Sequence, residues 1–117
     1  MLSMTPYERG DIVLVSFPFS DQTATKKRPA AIISSNAYNS TYLDVVIMAV
    51  TSQTEKTTGV GECMIADWRT AGLLKPSAIK SAVSTIEQSL VLKKLGKLSP
   101  EDLMSMDNAL KALLDLR

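Results

Sequence analysis

The residues best suited to chemistry lie in "KKRPAAIISS", residues 26–35, where three consecutive cations and a proline stand against an apolar, β-branched run. Lys, Arg and Pro are poor strand residues, and Arg is seldom buried without a partner. Lys26, Lys27 and Arg28 therefore read either as a solvated loop end or as a binding edge. Histidine is absent from the chain, which removes His-based triads, His-metal sites and imidazole acid-base pairs. The acidic residues are scattered rather than paired at ligand spacing, so no metal site and no cofactor is expected. Neither G-x-x-x-x-G-K-[ST] nor G-x-G-x-x-G occurs, and a phosphate cradle of those kinds has no support. An enzyme built from this chain works with Arg, Lys, Ser, Thr, Asp and Glu.

Composition bounds what must position those groups. The 117 residues fit one domain, residues 1–117, with 45% hydrophobic and 21% charged residues, ordinary globular usage that can fill a core. Thirteen cations against twelve anions leave a net charge of +1, so a grip on a polyanion must come from local clustering. The single cysteine, Cys63, excludes an internal disulfide framework and fits a reducing compartment, with the cytoplasm as the default location. The longest apolar run is "VVIMAV", and "MLSMTPYERG" has no apolar h-region, so neither a membrane span nor a secretion signal is expected.

Along the chain, "DIVLVSF" alternates as a first strand, and the turn-rich "PFSDQTATKK" predicts a loop of roughly ten residues after it. "AAIIS" and "LDVVIMAVTS" read as buried strands separated by the polar "SNAYNSTY". "TGVGEC" is a glycine turn, "ECMIA" a short strand, "DWRTAGLLKPS" an irregular connection and "AIKSAVSTI" a further strand. A C-terminal helix follows: Ser99 suits its N-cap, Pro100 its first position, and Glu101 and Asp102 the positive end of its dipole. Leu103, Met106, Leu110, Leu113 and Leu114 fall on one face of it.

Taken in order, "GDIVLVSFPFSDQTATKKRPAAIIS", "DVVIMAVTSQ" and "GLLKPSAIKSAVSTIEQSLVLKKLGKLS" resemble the MazF/PemK toxins of bacterial toxin-antitoxin systems over nearly the whole chain. The resemblance implies an α+β fold: an SH3-like, strongly curved antiparallel sheet, or partial barrel, with a C-terminal α-helix. It also implies a cytoplasmic homodimer, inhibition by a cognate MazE/PemI-like antitoxin, and metal-independent endoribonuclease activity on single-stranded RNA. In such cleavage a ribose 2′-hydroxyl attacks the adjacent phosphorus, leaving a 2′,3′-cyclic phosphate and a 5′-hydroxyl.

The family's catalytic arginine falls on Arg28 and its catalytic threonine on Thr51, with Ser52 and Gln53 completing "TSQ" beside them as RNA-binding candidates. A guanidinium offers a planar, permanently charged fork to a phosphoryl group gathering negative charge, and a hydroxyl adds a second donor without a second charge. Unaided by the resemblance, Arg28 reads as a solvated charge and Thr51 as an ordinary strand residue. Lys26 and Lys27 read as phosphate-steering or merely solvated charges. Phe19 is a candidate for stacking on bases, whereas Phe17 continues the strand pattern toward the core. Some relatives carry an Arg and an Asp as acid-base partners where this chain has Lys80 and Ser81. Lys80 is an RNA-binding candidate or a lysine on an exposed strand face, and Ser77 a polar site residue or simply a serine opening a strand after proline. Trp68 is expected to pack on the sheet or a partner subunit, and Asp67 and Arg69 to pair across a turn. A non-catalytic reading competes with all this: CcdB-type gyrase poisons share the architecture and bind protein instead of cutting RNA.

Overall fold

The computed structural model describes residues 7–18, 25–56 and 59–117. Its elements are β1 (Asp11–Pro18), β2 (Thr25–Ile32), α1 (Asn36–Thr41), β3 (Asp44–Thr51), β4 (Cys63–Ile65), β5 (Ser77–Glu87), β6 (Val91–Lys97) and α2 (Pro100–Leu114). The strands form one curled antiparallel sheet in the order β4-β5-β3-β2-β1-β6. This is the curved sheet and C-terminal helix anticipated above.

Strand alternation divides the interior into two clusters, one on each side of the sheet. Ile12, Ala31, Met48, Val50 and Ile79 turn toward α2 and pack with Leu98 and Met106. Val13, Val15, Ala30, Ile32, Val45 and Ile47 turn to the other side, where Phe17 joins them. A fully buried Ile such as Ile12 or Ile47 contributes about 1.5–3 kcal/mol relative to an exposed one. A one-residue slip of β1 or β2 would exchange these sets, so the pairing Ile12↔Ala31 and Val13↔Ala30 fixes the register of everything that follows on β2.

Four expectations need correction. Lys26, Lys27 and Arg28 are strand residues, not a loop end: β2 begins at Thr25, and Lys27 and Arg28 pair with Ser16 and Val15. Tertiary pairing with β1 overrides the low strand propensity of the cations, and the connection after β1 is correspondingly shorter than ten residues. The segment "SNAYNSTY" contains α1, capped by the Ser35 hydroxyl, which accepts from Tyr38 N. A sixth strand, β6, occupies "VLKKLGK", where charge masks the alternation. On α2, Leu114 is exposed, while Ala109 and Asp102 are buried. Ser99 does cap this helix, its hydroxyl accepting from Asp102 N, and Pro100 opens it. Asp102 does more than face the dipole, because its two carboxylate oxygens accept from Ala66 N and Asp67 N and so tie the helix start to the turn after β4.

Two features shape the region around β2. The β2–β3 ladder has only three rungs, Ala30↔Ala49, Ala31↔Met48 and Ile32↔Ile47. Pro29, which has no N–H to donate, stands where it stops. From there β2 continues with β1 alone, to Thr25↔Pro18, while β3 continues with β5 to Thr51↔Ala78. The sheet therefore forks. Within the second branch β5 advances from Val83 to Ile79 while β3 advances only from Met48 to Val50, a bulge that increases the local bend.

The second feature is a crossing of two glycines. A Cβ on Gly72, whose φ is +79°, would lie 2.0 Å from the Leu95 carbonyl oxygen, and one on Gly96 would lie 2.4 Å from the Ala71 carbonyl carbon. The loop 71–76 is thus pressed backbone to backbone against β6, with Lys97 N donating to Thr70 O beside it. Gly96→Ala should therefore lower stability by about 3 kcal/mol or more, since backbone on both sides must move. Gly59→Ala meets only the flexible Glu62 carboxylate at 3.3 Å and should stay within about 1 kcal/mol of the parent in a urea titration.

Candidate functional site

The fork opens a cavity of about 1060 Å³. Lys26, Lys27, Arg28 and Pro29 line it from the β1–β2 branch. Val50, Thr51, Ser52 and Gln53 line it from the end of β3, and Ser77, Lys80, Ala82 and Ser84 from β5. Of the candidate catalytic and RNA-binding residues named from the sequence, all that the structure describes line this cavity. Phe19 and residues 20–24 lie outside the described residues.

Alternation tells which of them share a face. Arg28 pairs with Val15 and is two residues from Ala30, so it turns to the side of the sheet away from α2. Thr51 follows Val45, Ile47 and Ala49 on that side of β3. Lys80, next to the α2-facing Ile79, turns the same way from β5. Arg28, Thr51 and Lys80 thus approach the cavity from one face, above a floor that includes Ile47 and Ala49.

Hydrogen bonding orients two of the hydroxyls. Thr51 Oγ1 accepts from Gln53 N at 3.1 Å, which fixes the side chain in a local turn and leaves its own O–H free to donate. Ser77 is 4% exposed, and its hydroxyl donates to Lys75 O at 2.9 Å. Its proton is committed to closing the loop 71–76 onto β5, so Ser77 shapes the wall. Arg28, Lys26, Lys27 and Lys80 are exposed and make no ion pair among the described residues.

The charge of the site is one-sided. Lys26, Lys27, Arg28, Lys75, Lys80 and Lys93 all line the cavity, and among the described residues no Asp, Glu, Cys or Tyr does. On a chain of net charge +1 this is a strong local segregation, and it gives an electropositive cleft suited to a polyanion. Lys75, Lys93 and the apolar residues Leu73, Leu74 and Leu95 were not singled out from the sequence. Lys93 is invisible without β6, and the loop residues without the glycine crossing that places them.

The other reactive or aromatic groups sit elsewhere. Cys63 is half-buried outside the cavity, and burial first, then the nearby Asp102 charge, pushes its thiol up to about 11, so it is not a ready nucleophile. Trp68 packs on the cluster under α2, as expected of a structural aromatic. Asp67 and Arg69 do not form the ion pair anticipated for them. Asp67 accepts from Thr70, whose hydrogen bonds hold its carboxyl below the usual range, and the Arg69 guanidinium lies 4.4 Å over the Trp68 ring.

Comparison with known proteins bears on this geometry. The family described as PemK-like, MazF-like toxin of type II toxin-antitoxin system matches residues 8–114. No curated protein matches the chain in sequence. Among solved structures, an endoribonuclease in complex with its cognate antitoxin from a mycobacterial species is similar at a TM-score of 0.78 and 20% identity, over 95% of this chain and 97% of that one. A MazE-MazF complex from Deinococcus radiodurans is similar at 0.76 and 18% identity, over 96% and 98%. The Mycobacterium tuberculosis toxin MazF-mt6 is similar at 0.71 and 17%, over 90% and 98%. At these identities the likeness is one of fold.

A cleft of this charge should bind single-stranded polynucleotide with a marked salt dependence. Each phosphate neutralised contributes a slope of about −0.7 to log K against log salt. Anisotropy titrations of a labelled RNA should give a slope of roughly −3 to −4 if most of the six cations engage.

Proposed function

This chain belongs to the PemK-like, MazF-like toxins of type II toxin-antitoxin systems, and we infer that it acts as an endoribonuclease on single-stranded RNA in the cytoplasm, with Arg28 and Thr51 at the reacting phosphate. The observation that carries this reading is the meeting of Arg28, Thr51 and Lys80 on one face of a cleft whose described lining holds six cations and no carboxylate.

The chemistry follows from those groups. When a 2′-oxygen attacks the adjacent phosphorus, negative charge accumulates on the non-bridging oxygens. Donors already in place stabilise that charge at no cost of reorganisation. The Arg28 fork supplies two parallel N–H donors with a full positive charge. The free O–H of Thr51 supplies a third donor, held in direction by Gln53 N. Lys26, Lys27 and Lys80 hold the flanking phosphates, and Ser52 and Gln53, exposed at the end of β3, reach the substrate from the second branch. The site offers no ligand set for a metal among its described lining residues, which are Lys, Arg, Ser, Thr, Gln and apolar groups. The gyrase-poison alternative gains nothing from a cleft of this charge.

Partners follow from the same surface. Two of the similar structures hold a toxin with its antitoxin; a cognate antitoxin of this chain that presents an acidic segment would compete with RNA for these cations. A homodimer is consistent with β5, which β4 covers only from Ser77 to Ile79 and which carries the exposed Val83 beyond that point. Among the described residues no helix is long and apolar enough to cross a membrane. Sedimentation at micromolar concentration should report a mass near twice 12.7 kDa, and a strictly monomeric active protein would contradict the dimer.

The decisive experiment is digestion of a long RNA in excess EDTA with mapping of the ends. Cleavage should proceed, leave a 2′,3′-cyclic phosphate and a 5′-hydroxyl, and stop when the nucleotide 5′ to the scissile phosphate is 2′-deoxy. Arg28→Ala should lower the rate by about 10²- to 10³-fold with an unchanged melting temperature, since the side chain is exposed. Thr51→Ala should fall in a similar or smaller range, and Arg28→Lys should rescue poorly. Strict dependence on added magnesium, or full activity of Arg28→Ala, would overturn the reading.

A further inference from the structure

The cavity has a second compartment that the reacting groups do not use. Leu14 pairs with Pro29 on one side and with Lys93 on the other, so these three side chains stand in a row on one face of the β6–β1–β2 arm. That face is the one turned toward α2, opposite to Arg28, because Leu14 lies between the oppositely directed Val13 and Val15. Lys27, two residues from Pro29, turns the same way, and Leu95 packs on the same side, against the cluster under α2. The glycine crossing at Gly72 and Gly96 sets Leu73, Leu74 and Lys75 beside this row.

The result is an apolar floor of Leu14, Pro29, Leu73 and Leu95 with a lysine on each side: Lys27 on β2, Lys93 on β6 and Lys75 on the loop. Lys93 and Pro29 are two strand spacings apart, about 10 Å. Leu74 is 95% exposed yet lines the same cavity, an unusual position for a leucine with no core role. An apolar surface bordered by cations, with no carboxylate among its described lining residues, fits one kind of occupant: an unstacked base whose phosphates stay at the rim. Continuity with the cleft that holds Arg28 and Thr51 makes it part of the same polynucleotide path, around the β2 end of the fork.

We propose that this compartment seats a nucleotide flanking the cleaved bond, with its base on Leu14, Pro29, Leu73 and Leu95 and against Leu74, and its phosphates between Lys75 and Lys93. The compartment thereby contributes to the choice of cleavage site. This rests on the ribonuclease reading above. Lys75, Lys93 and Leu74 are exposed, so substitutions there leave the core intact.

The test uses oligoribonucleotides that carry a mapped cleavage site, with an abasic nucleotide placed at each flanking position in turn. For the parent protein, one flanking position should stand out, its abasic form raising KM about tenfold. Leu74→Ser should abolish the difference between base and no base at that position alone. Lys75→Ala combined with Lys93→Ala should raise KM about tenfold with kcat within about twofold, and should lower the salt slope by about 1 to 2. End mapping on a long RNA should then show a broadened set of cleavage sites. A parent that cleaves while both variants keep its KM, its salt slope and its set of sites would overturn the compartment and leave the ribonuclease reading standing. Variants that cleave as the parent does but lose affinity for an acidic antitoxin peptide would assign the surface to protein docking, and would likewise overturn it. A parent that cleaves no RNA at all would overturn both.

Discussion

Everything about the site depends on where β2 stops pairing with β3. Three rungs hold the two strands together at Ala30, Ala31 and Ile32, deep between the two clusters, and the ladder ends at a proline. A longer ladder would close the sheet and cover the end of β3. A shorter one would cost register, since these rungs carry the alternation that turns Arg28 and Lys27 to opposite sides. Opening the sheet leaves polar backbone on both branches, and the geometry limits that loss by giving each branch a second partner. The first part of β2 pairs with β1, and Thr51 pairs with β5.

The charge distribution is the second constraint. Folding brings six cations to one cleft and sends the acidic side chains elsewhere. Asp11 is buried beside Lys94, Glu8 meets Lys97, Asp107 meets Arg9, and Asp102 is spent on two backbone donors. These anions balance the cations of the α2 side and the N-terminal end of the sheet, and among the described residues no carboxylate lines the cleft. The like charges repel in the free protein and are relieved by a polyanion, so the same arrangement that weakens the isolated fold favours binding of a polyanion.

Much of this was legible in the chain. Short alternating runs and the Ser99-Pro100 start gave the sheet and α2, because hydrophobic period and capping are local signals. The words that carry the resemblance point to Arg28 and Thr51 as candidates, and the fold brings both to one cavity, whereas composition alone does not distinguish them from solvated or ordinary strand residues. What escaped was non-local. That three cations and a proline run as a strand depends on the partner β1, and β6 is hidden by its own lysines. From the sequence Ser77 reads as a site hydroxyl; in the fold its O–H donates to Lys75 O. The compartment around Leu73–Lys75 exists only because Gly72 and Gly96 touch across distant parts of the chain, a contact no window of sequence contains.

On the proposed reading RNA lies in the fork, with its reacting phosphate between the two branches. The most direct measurement is an NMR titration with an uncleavable RNA, 2′-deoxy at the attacking nucleotide, followed through backbone amides and the Arg28 guanidinium. The largest shifts should fall on Arg28, on Thr51 to Gln53 and on Lys80, with none on the outward face of α2 around Met104 and Lys111. Saturable shifts confined to α2 or to the open part of β5, with Arg28 and Thr51 unmoved, would contradict it.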